Sequence, residues 1–239
     1  MVRNITELFI RARIILKTEG ITSLIVKVFV FVAKHIFSYE TYYITMRSLQ
    51  NQTISKDDLI PDVADLTFKV ITSNKEADEL VAGGFEDFRS YQLNARQALE
   101  KGTIAFCLFV GTEVGYLTWL ARSRDSQKIF NERPYQVDFD NSEACSVGAR
   151  TVPKYRRKGL KSYGCLLRDE AAREMGIVTL RGIIATSNTA NLRANARLAD
   201  RVSQRITGRA HYLKFLWLKS WKETPMDMSL KEVVEKNIR

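Results

Sequence analysis

Between residues 143 and 221 the apolar pattern changes period four times, and this alternation narrows the folds open to the chain more than any other feature. Glu143 to Thr151 reads as a strand that stops at Pro153, which has no N–H to give to a ladder. From Gly159 to Met175 the spacing turns helical, with Leu160, Tyr163, Leu167, Ala171 and Met175 near one face and Gly176 as the stop. Val178 to Ala185 is a compact apolar strand, Asn188 to Val202 is helical again, and Ile206 to Trp221 is strand-like. Consecutive parallel strands cannot be joined by a tight turn. A strand–helix–strand–helix–strand run therefore implies an α/β sheet with at least one parallel crossover.

Upstream, Leu66 to Thr72 reads as a strand, and Ser73 or Asn74 is placed to cap a helix from about Lys75. A helical stretch from about Tyr91 to Lys101 ends at Gly102. Thr103 to Val110 and Val114 to Ala121 form a hairpin around Gly111-Thr112-Glu113, and Tyr135 to Asp140 is a further strand candidate. The first 60 residues read differently. Ile5, Leu8, Phe9, Ala12, Ile15 and Leu16 recur at helical spacing, Gly20 interrupts, and Leu24 to Ala33 is apolar except for Lys27. Ten apolar residues fall well short of the ~20 that span a bilayer. Basic residues break every hydrophobic block, which a secretory signal does not tolerate. Tyr39 to Leu49 suits a strand leading out of this region. The expected organisation is an amphipathic helical appendage with linker at 1–60, one α/β domain at 61–225 and a short helix at 226–239.

Charge is unevenly spread. The net +10 of the chain is dominated by residues 150–221, which hold 16 basic and 4 acidic side chains, whereas residues 61–149 hold 9 and 14. A local excess of +12 points to an anion-binding face rather than to a uniformly basic film. Cys107, Cys145 and Cys165 lack C-x-x-C spacing and sit among apolar neighbours. They read as buried thiols of a reducing, cytoplasmic compartment, and no metal cage is expected.

Within the basic stretch, Pro153-Lys154-Tyr155-Arg156-Arg157-Lys158-Gly159-Leu160-Lys161-Ser162 lies where a strand gives way to a helix. The N–H groups of a first helical turn have no partner within the helix and point outward. The dipole adds positive potential, and Gly159 lets a ligand approach the backbone. With Arg156, Arg157, Lys158 and Lys161 alongside, the segment suits a phosphate-bearing ligand, a solvated basic loop being the bland alternative.

In these residues the chain resembles the GNAT superfamily of N-acyltransferases, whose phosphate loop reads R/Q-x-x-G-x-G/A. Gly115-Tyr116 in the preceding hairpin, Ala185-Thr186-Ser187-Asn188-Thr189-Ala190-Asn191 downstream, and Gly208-Arg209-Ala210-His211-Tyr212 are similar to that family's neighbouring segments. The likeness covers roughly residues 65–220. It implies an α/β fold with a mixed sheet whose two central parallel strands, Glu143–Thr151 and Val178–Ala185, splay around acyl-coenzyme A. It further implies that backbone groups of Thr151 and Val152 pair with the pantetheine arm and that N–H groups of Arg157, Lys158, Gly159, Leu160, Lys161 and Ser162 hold the pyrophosphate. Arg156 supplies charge there, and Asn188 and Asn191 lie on the facing helix. The implied reaction is acetyl (acyl) transfer from acetyl-CoA or another acyl-CoA to a primary amine by direct attack. Glu143 is the candidate base, with Asp138 and Asp140 as alternatives, and Tyr155 and Tyr212 are candidate proton donors. His211 reads as a packed or surface residue.

The sequence departs from that family at two places. Lys161 stands where Gly or Ala is usual, and the helix Leu192 to Asp200 has no tyrosine to protonate a leaving thiolate. Two other readings therefore stay open: a GNAT-shaped coenzyme A-binding protein without turnover, and a basic protein on a membrane surface. The acceptor classes left open are an amino sugar, a polyamine, a protein amine and a lipid-linked amine. Nucleic acid is not expected. Residues 4–37 are left with two roles, packing on the domain or a second subunit (a homodimer), or peripheral contact with the inner face of a membrane.

Overall fold

Along the chain, α1 (Ile5–Ile36) runs into β1 (Phe37–Ser48), followed by β2 (Leu66–Ile71), α2 (Asn74–Ala82), α3 (Ala95–Glu100), β3 (Ile104–Val110), β4 (Glu113–Ala121) and α4 (Arg124–Phe130). Then come β5 (Glu143–Thr151), α5 (Leu160–Glu174), β6 (Thr179–Ala185), α6 (Thr189–Ala196), β7 (Gln204–Phe215), β8 (Leu218–Ser229) and α7 (Leu230–Asn237). The computed structural model describes residues 5–50, 52, 54–55, 57–130, 133–197, 199 and 202–237, and describes the backbone alone at 5–11, 31–35 and 237.

The eight strands form one mixed sheet in the order β2-β3-β4-β5-β6-β1-β7-β8. Every neighbouring pair is antiparallel except β5–β6, the crossover pair joined through α5. The sheet draws on both sides of the division expected at residue 60. β1 lies inside it, hydrogen-bonded to β6 from Tyr42↔Ala185 to Ser48↔Thr179 and to β7 from Phe37↔Phe215 to Arg47↔Gln204.

Three sequence expectations need correction. The stretch expected as one strand from Ile206 to Trp221 is a hairpin, because Leu216 takes a positive φ of 53° and turns the chain back. Residues 135–140 form no strand. Tyr135 and Val137 bury their side chains on the sheet, and Asp138 accepts the N–H of Asn141 in a short turn instead. The helix expected to reach Val202 ends at Ala196, although Leu198, Asp200 and Arg201 lie outside the described residues.

Helices α5, α6 and α7 cover one face. Ala172 packs with Leu180 and Ala144, while Leu192, Leu230 and Val233 pack with Tyr43, Ile184 and Ile206. The first turns of α5 press directly on β4. A Cβ at Gly164 would fall inside contact distance of the Tyr116 ring, and one at Gly115 would meet Leu160 Cδ2 at 2.5 Å. These two glycines set the height of α5, and hence of the loop before it, above the sheet. On the other face α2, α3, α4 and the start of α1 cover β2 to β5, with Trp119, Phe88, Phe109 and Leu117 in the core and Ile14 against it. Past β5, among the described residues, the 135–139 segment packs on that face through Tyr135 and Val137.

Candidate functional site

β5 and β6 pair only at Glu143↔Thr179, Ala144↔Leu180 and Cys145↔Arg181, and then diverge. The divergence has a local cause. Trp119 faces Val147 and Leu117 faces Arg150, so Gly148 and Ala149 stand opposite Thr118 alone. An extra residue of this kind bends a strand. Gly148 adopts φ +64°, and the Trp119 indole lies 2.8 Å from where a Cβ would project, so the bulge needs glycine. β5 thereby follows β4 away while β6 stays with β1 as far as Ala185. A cavity of about 290 Å³ opens in the fork.

The floor of this cavity is cationic. Arg47 from β1, Lys161 and Arg168 from α5 and Arg181 from β6 line it, with Asn191 and Asn195 from α6 and Gln204 from β7. Asp169, fully buried, accepts Arg47 Nη1 at 2.7 Å and Arg168 Nε at 2.9 Å, while Arg168 Nη1 donates to Ser146 Oγ at 2.6 Å, just past the last β5–β6 pair. Arg47 Nη2 donates to Gln204 Oε1 at 2.6 Å. Burial pushes the Asp169 carboxyl up, but the Arg168 and Arg47 charges outweigh it and hold its pKa below the ordinary value. Burial, with Arg47 and Arg168 acting in the same direction, lowers the pKa of Lys161. Lys161 Nζ donates to Asn191 Oδ1, which also accepts Asn195 Nδ2 at 2.7 Å, so a bridge joins α5 to α6 across the cavity.

At the start of α5, Arg157 has φ +66° and Gly159 φ +84°, and Gly159 offers no side chain to cap the helix. The N–H groups of Leu160, Lys161 and Ser162 thus open the helix without a cap, beside exposed Arg156, Arg157 and Lys158. Of the residues expected to hold a cofactor, Lys161 and Asn191 line the cavity. Thr151 ends β5 opposite Tyr116. Two others are engaged within the fold. The Val152 N–H is bonded to Gly115 O at 3.0 Å and is not available to a pantetheine arm. Asn188 turns its side chain onto the Asn191 N–H at 3.1 Å, capping α6 instead of facing the cavity.

A second cavity, about 400 Å³, lies on the opposite face of the sheet, with Arg181 common to both. Asp138, Glu143 and Glu223 line it, together with Gln136, Thr207 and Thr224. Both Glu143 oxygens lie 3.0 Å from Arg181 Nε, and Oε2 also accepts the Asp138 N–H at 2.9 Å. Asp138 accepts Asn141 Nδ2 at 2.7 Å, and Glu223 accepts Trp221 Nε1 at 2.6 Å. Asp140 does not line this cavity. Tyr155 is engaged elsewhere, donating to Glu113 Oε2 at 2.6 Å, and Tyr212 is buried beneath the Arg133 guanidinium, 4.9 Å from its ring centroid. His211 Nδ1 packs near Tyr39 OH at 3.1 Å and Thr41 Oγ1 at 3.2 Å. Tyr135, fully buried, contacts Cys145 Sγ, and burial raises that thiol's pKa to about 12, which leaves it inert. Among the described residues no cluster of His, Cys, Asp and Glu is arranged to hold a metal ion.

No family model and no curated protein matches the chain. Solved structures that match it include a GCN5-related N-acetyltransferase from Sphaerobacter thermophilus, with a TM-score of 0.43 and 12% identity over 89% of this chain and 60% of that one. A second GCN5-related N-acetyltransferase, from Kribbella flavida, matches with a TM-score of 0.37 and 13% identity over 70% and 54%. A functionally unknown conserved protein from Staphylococcus epidermidis matches with a TM-score of 0.42 and 10% identity over 77% and 64%. The chain spans between half and two thirds of the length of these structures. Its own strand order, with one parallel pair that splays after three residues, gives it the mixed α/β fold that the resemblance to the N-acyltransferase superfamily implied.

Proposed function

We propose that the chain is an acyl-CoA-dependent N-acyltransferase that moves an acetyl or similar acyl group to a primary amine by direct attack. The observation that carries this reading is the pair of cavities on the two faces of the sheet. One is lined by Arg47, Lys161 and Arg168, the other by Asp138, Glu143 and Glu223, and Arg181, which borders both, turns its guanidinium to Glu143 on the second side. A polyanionic donor suits the first and a cationic amine the second, and the two meet where β5 and β6 part.

The residues fit coenzyme A. The uncapped N–H groups of 160–162 with Arg156, Arg157 and Lys158 suit the phosphates, and the free edge of β5 suits an amide-bearing arm. Bound there, coenzyme A supplies the acyl group as a thioester. The chain then has three tasks. The carboxylates orient the ammonium, and Glu143 takes its proton directly or through one water. N–H groups on the free edge of β5 near the Gly148 bulge stabilise the negative charge that develops on the carbonyl oxygen. The N–C bond forms as the C–S bond breaks, the nitrogen gives its second proton to water, and the thiolate takes one from solvent or from the Lys161 ammonium that lines the donor cavity.

Coenzyme A and acetyl-CoA added to the purified chain should raise its melting temperature, through the ~2.7 kcal/mol of stabilisation expected at a hundredfold excess over Kd. Thiol release from acetyl-CoA should then appear with one or more of a panel of amines. No thermal shift with either compound overturns the reading. The Lys161–Asn191 bridge favours a second reading, a binding protein without turnover, because it crosses the passage the thioester arm would use. Stabilisation by coenzyme A with no thiol release for any amine would select it.

A further inference from the structure

We infer that the second half of α1 and the β7–β8 turn together form a docking surface for an anionic lipid bilayer. Of the 17 large apolar side chains that lie exposed among the described residues, 15 belong to α1, the first residues of β1 and the β7–β8 turn. An exposed patch of that extent is far beyond what a monomeric surface ordinarily carries.

Two features make these residues one surface. Gly20, at φ 84° and ψ 173°, breaks α1 in a conformation open to glycine. Before it, Ile14 and Ile15 pack on the body. After it, Ile21, Ile25, Val26, Val28, Phe29 and Val30 are all exposed, Phe29 by 74%. At 3.6 residues per turn these six side chains sweep roughly 200° of the helix, leaving only the side of half-buried Ser23 and Leu24 turned to the protein. The far end of α1 is then tied to the hairpin turn. The Leu216 N–H donates to Ile36 O at 2.7 Å, and Phe37 stands opposite Phe215. The turn itself presents Phe215, Leu216, Trp217 and Leu218, with Trp217 78% exposed.

Charge selects the occupant. Residues 20–36 hold Lys27, paired with Glu19 just before the segment, and Lys34, and residues 211–222 hold Lys214, Lys219 and Lys222, with no carboxylate inside either segment. Lys214 and Lys219 are direct cross-strand partners, so the hairpin gathers positive charge beside its apolar turn. A second copy of the chain would set lysines against lysines. No described helix is long and apolar enough to cross a membrane, so the surface would lie in the interface, apolar side chains sunk among the lipids and lysines at the headgroups. This inference is independent of the acyl-transfer reading.

The test is cosedimentation of the full chain with vesicles of phosphatidylcholine alone and of equimolar phosphatidylcholine and phosphatidylglycerol. Binding to the anionic vesicles is expected, with a blue shift of tryptophan emission that Trp217→Phe removes while binding persists. Binding should weaken from about 0.1 M to about 1 M salt, as the Debye length shrinks from about 10 to about 3 Å. Lys214→Ala and Lys219→Ala should each weaken it about fivefold. Phe29→Asp with Trp217→Asp should abolish it at an unchanged melting temperature. A chain that stays in the supernatant with anionic vesicles at low salt overturns the inference. So does a dimer in sedimentation velocity that the Asp double variant converts to monomer without any vesicle binding, which would assign the surface to a second copy.

Discussion

The two cavities flanking the β5–β6 fork are made from the same strands yet differ in sign. Residues on a strand alternate between faces, so Glu143 and Arg181 point to one side while Ser146 and Gly182 point to the other. The cationic side is stocked from elements behind the sheet, Arg47 on β1 and Lys161 and Arg168 on α5, and is steadied by one buried carboxylate, Asp169. The acidic side is stocked from the start of β5, the middle of β8 and a turn, where carboxylates remain partly solvated. One side therefore holds charge by burial and compensation, the other by proximity to water. Substitutions should be expensive in folding on the first side and expensive in turnover on the second.

The largest effect should come from Asp169→Ala. It leaves Arg47 and Arg168 buried without a counter-charge, a loss of about 3–5 kcal/mol of unfolding free energy that urea denaturation would read. The pH dependence follows from the lowered pKa of Asp169, produced by Arg168 and Arg47 against the opposing effect of burial. A depressed folded-state value gives stability that is present above the unfolded value of about 3.9 and is lost as pH falls through the folded one. The gap between wild type and Asp169→Ala should therefore narrow in acid. A gap that stays constant to low pH would mean that Asp169 holds no charge in the folded protein.

On the acidic side the opposite pattern is expected. Glu143→Gln should leave the melting temperature within a few degrees of wild type, and should leave stabilisation by coenzyme A intact. Turnover with any amine that the proposed reaction accepts should fall about 10²-fold or more. Asp138→Asn is the control. A larger loss there than at Glu143 would move the base to Asp138, whose side chain is held only by Asn141 among the bonds described.

Much of this layout was legible in the chain, and the reasons for the rest are physical. Periodicity marked β5, α5 and β6, and glycine with arginines marked the loop before α5 as the candidate for phosphates, because both signals are local. The cationic floor was not legible. Arg168 and Asp169 are adjacent charges within a helix and read as solvated, and only the line Leu160, Gly164, Arg168, Ala172, spaced by four and ending in a small buried residue, hints that Arg168 faces inward. Arg47 meets both Asp169 and Gln204 across more than 100 residues of sequence, a relation that no window of sequence contains. β1 was visible as a strand. Its insertion between β6 and β7, which puts Arg47 beneath the fork, is a matter of pairing and left no trace in composition.

A third, smaller effect should distinguish the rim of the cationic side from its floor. Arg156, Arg157 and Lys158 are exposed, so replacing all three by Ala should change stability little, since exposed charges are well screened. Coenzyme A affinity should fall about tenfold or more, with a weaker dependence on salt, as measured by calorimetry at two ionic strengths. Unchanged affinity would remove the phosphate loop from the site and leave the fork without its entrance.

The smallest effect, at Lys161, asks whether the floor carries more positive charge than the fold favours. Burial lowers the pKa of this lysine, and the Arg47 and Arg168 charges add to that. A folded-state value below the unfolded one makes the ammonium a destabilising group wherever the unfolded chain is protonated, below about pH 10.4, and the penalty lifts as pH rises through the folded value. Lys161→Met keeps the length and removes the charge. Asn191 Oδ1 retains its bond from Asn195, so no acceptor is orphaned. The variant should melt higher at neutral pH, by about 2–4 °C for each kcal/mol relieved, and the advantage should shrink in alkali. A lower melting temperature would show that the bridge to Asn191 outweighs the crowding of like charges. The cationic cavity would then be a structural clamp between α5 and α6 more than a site held ready for an anion.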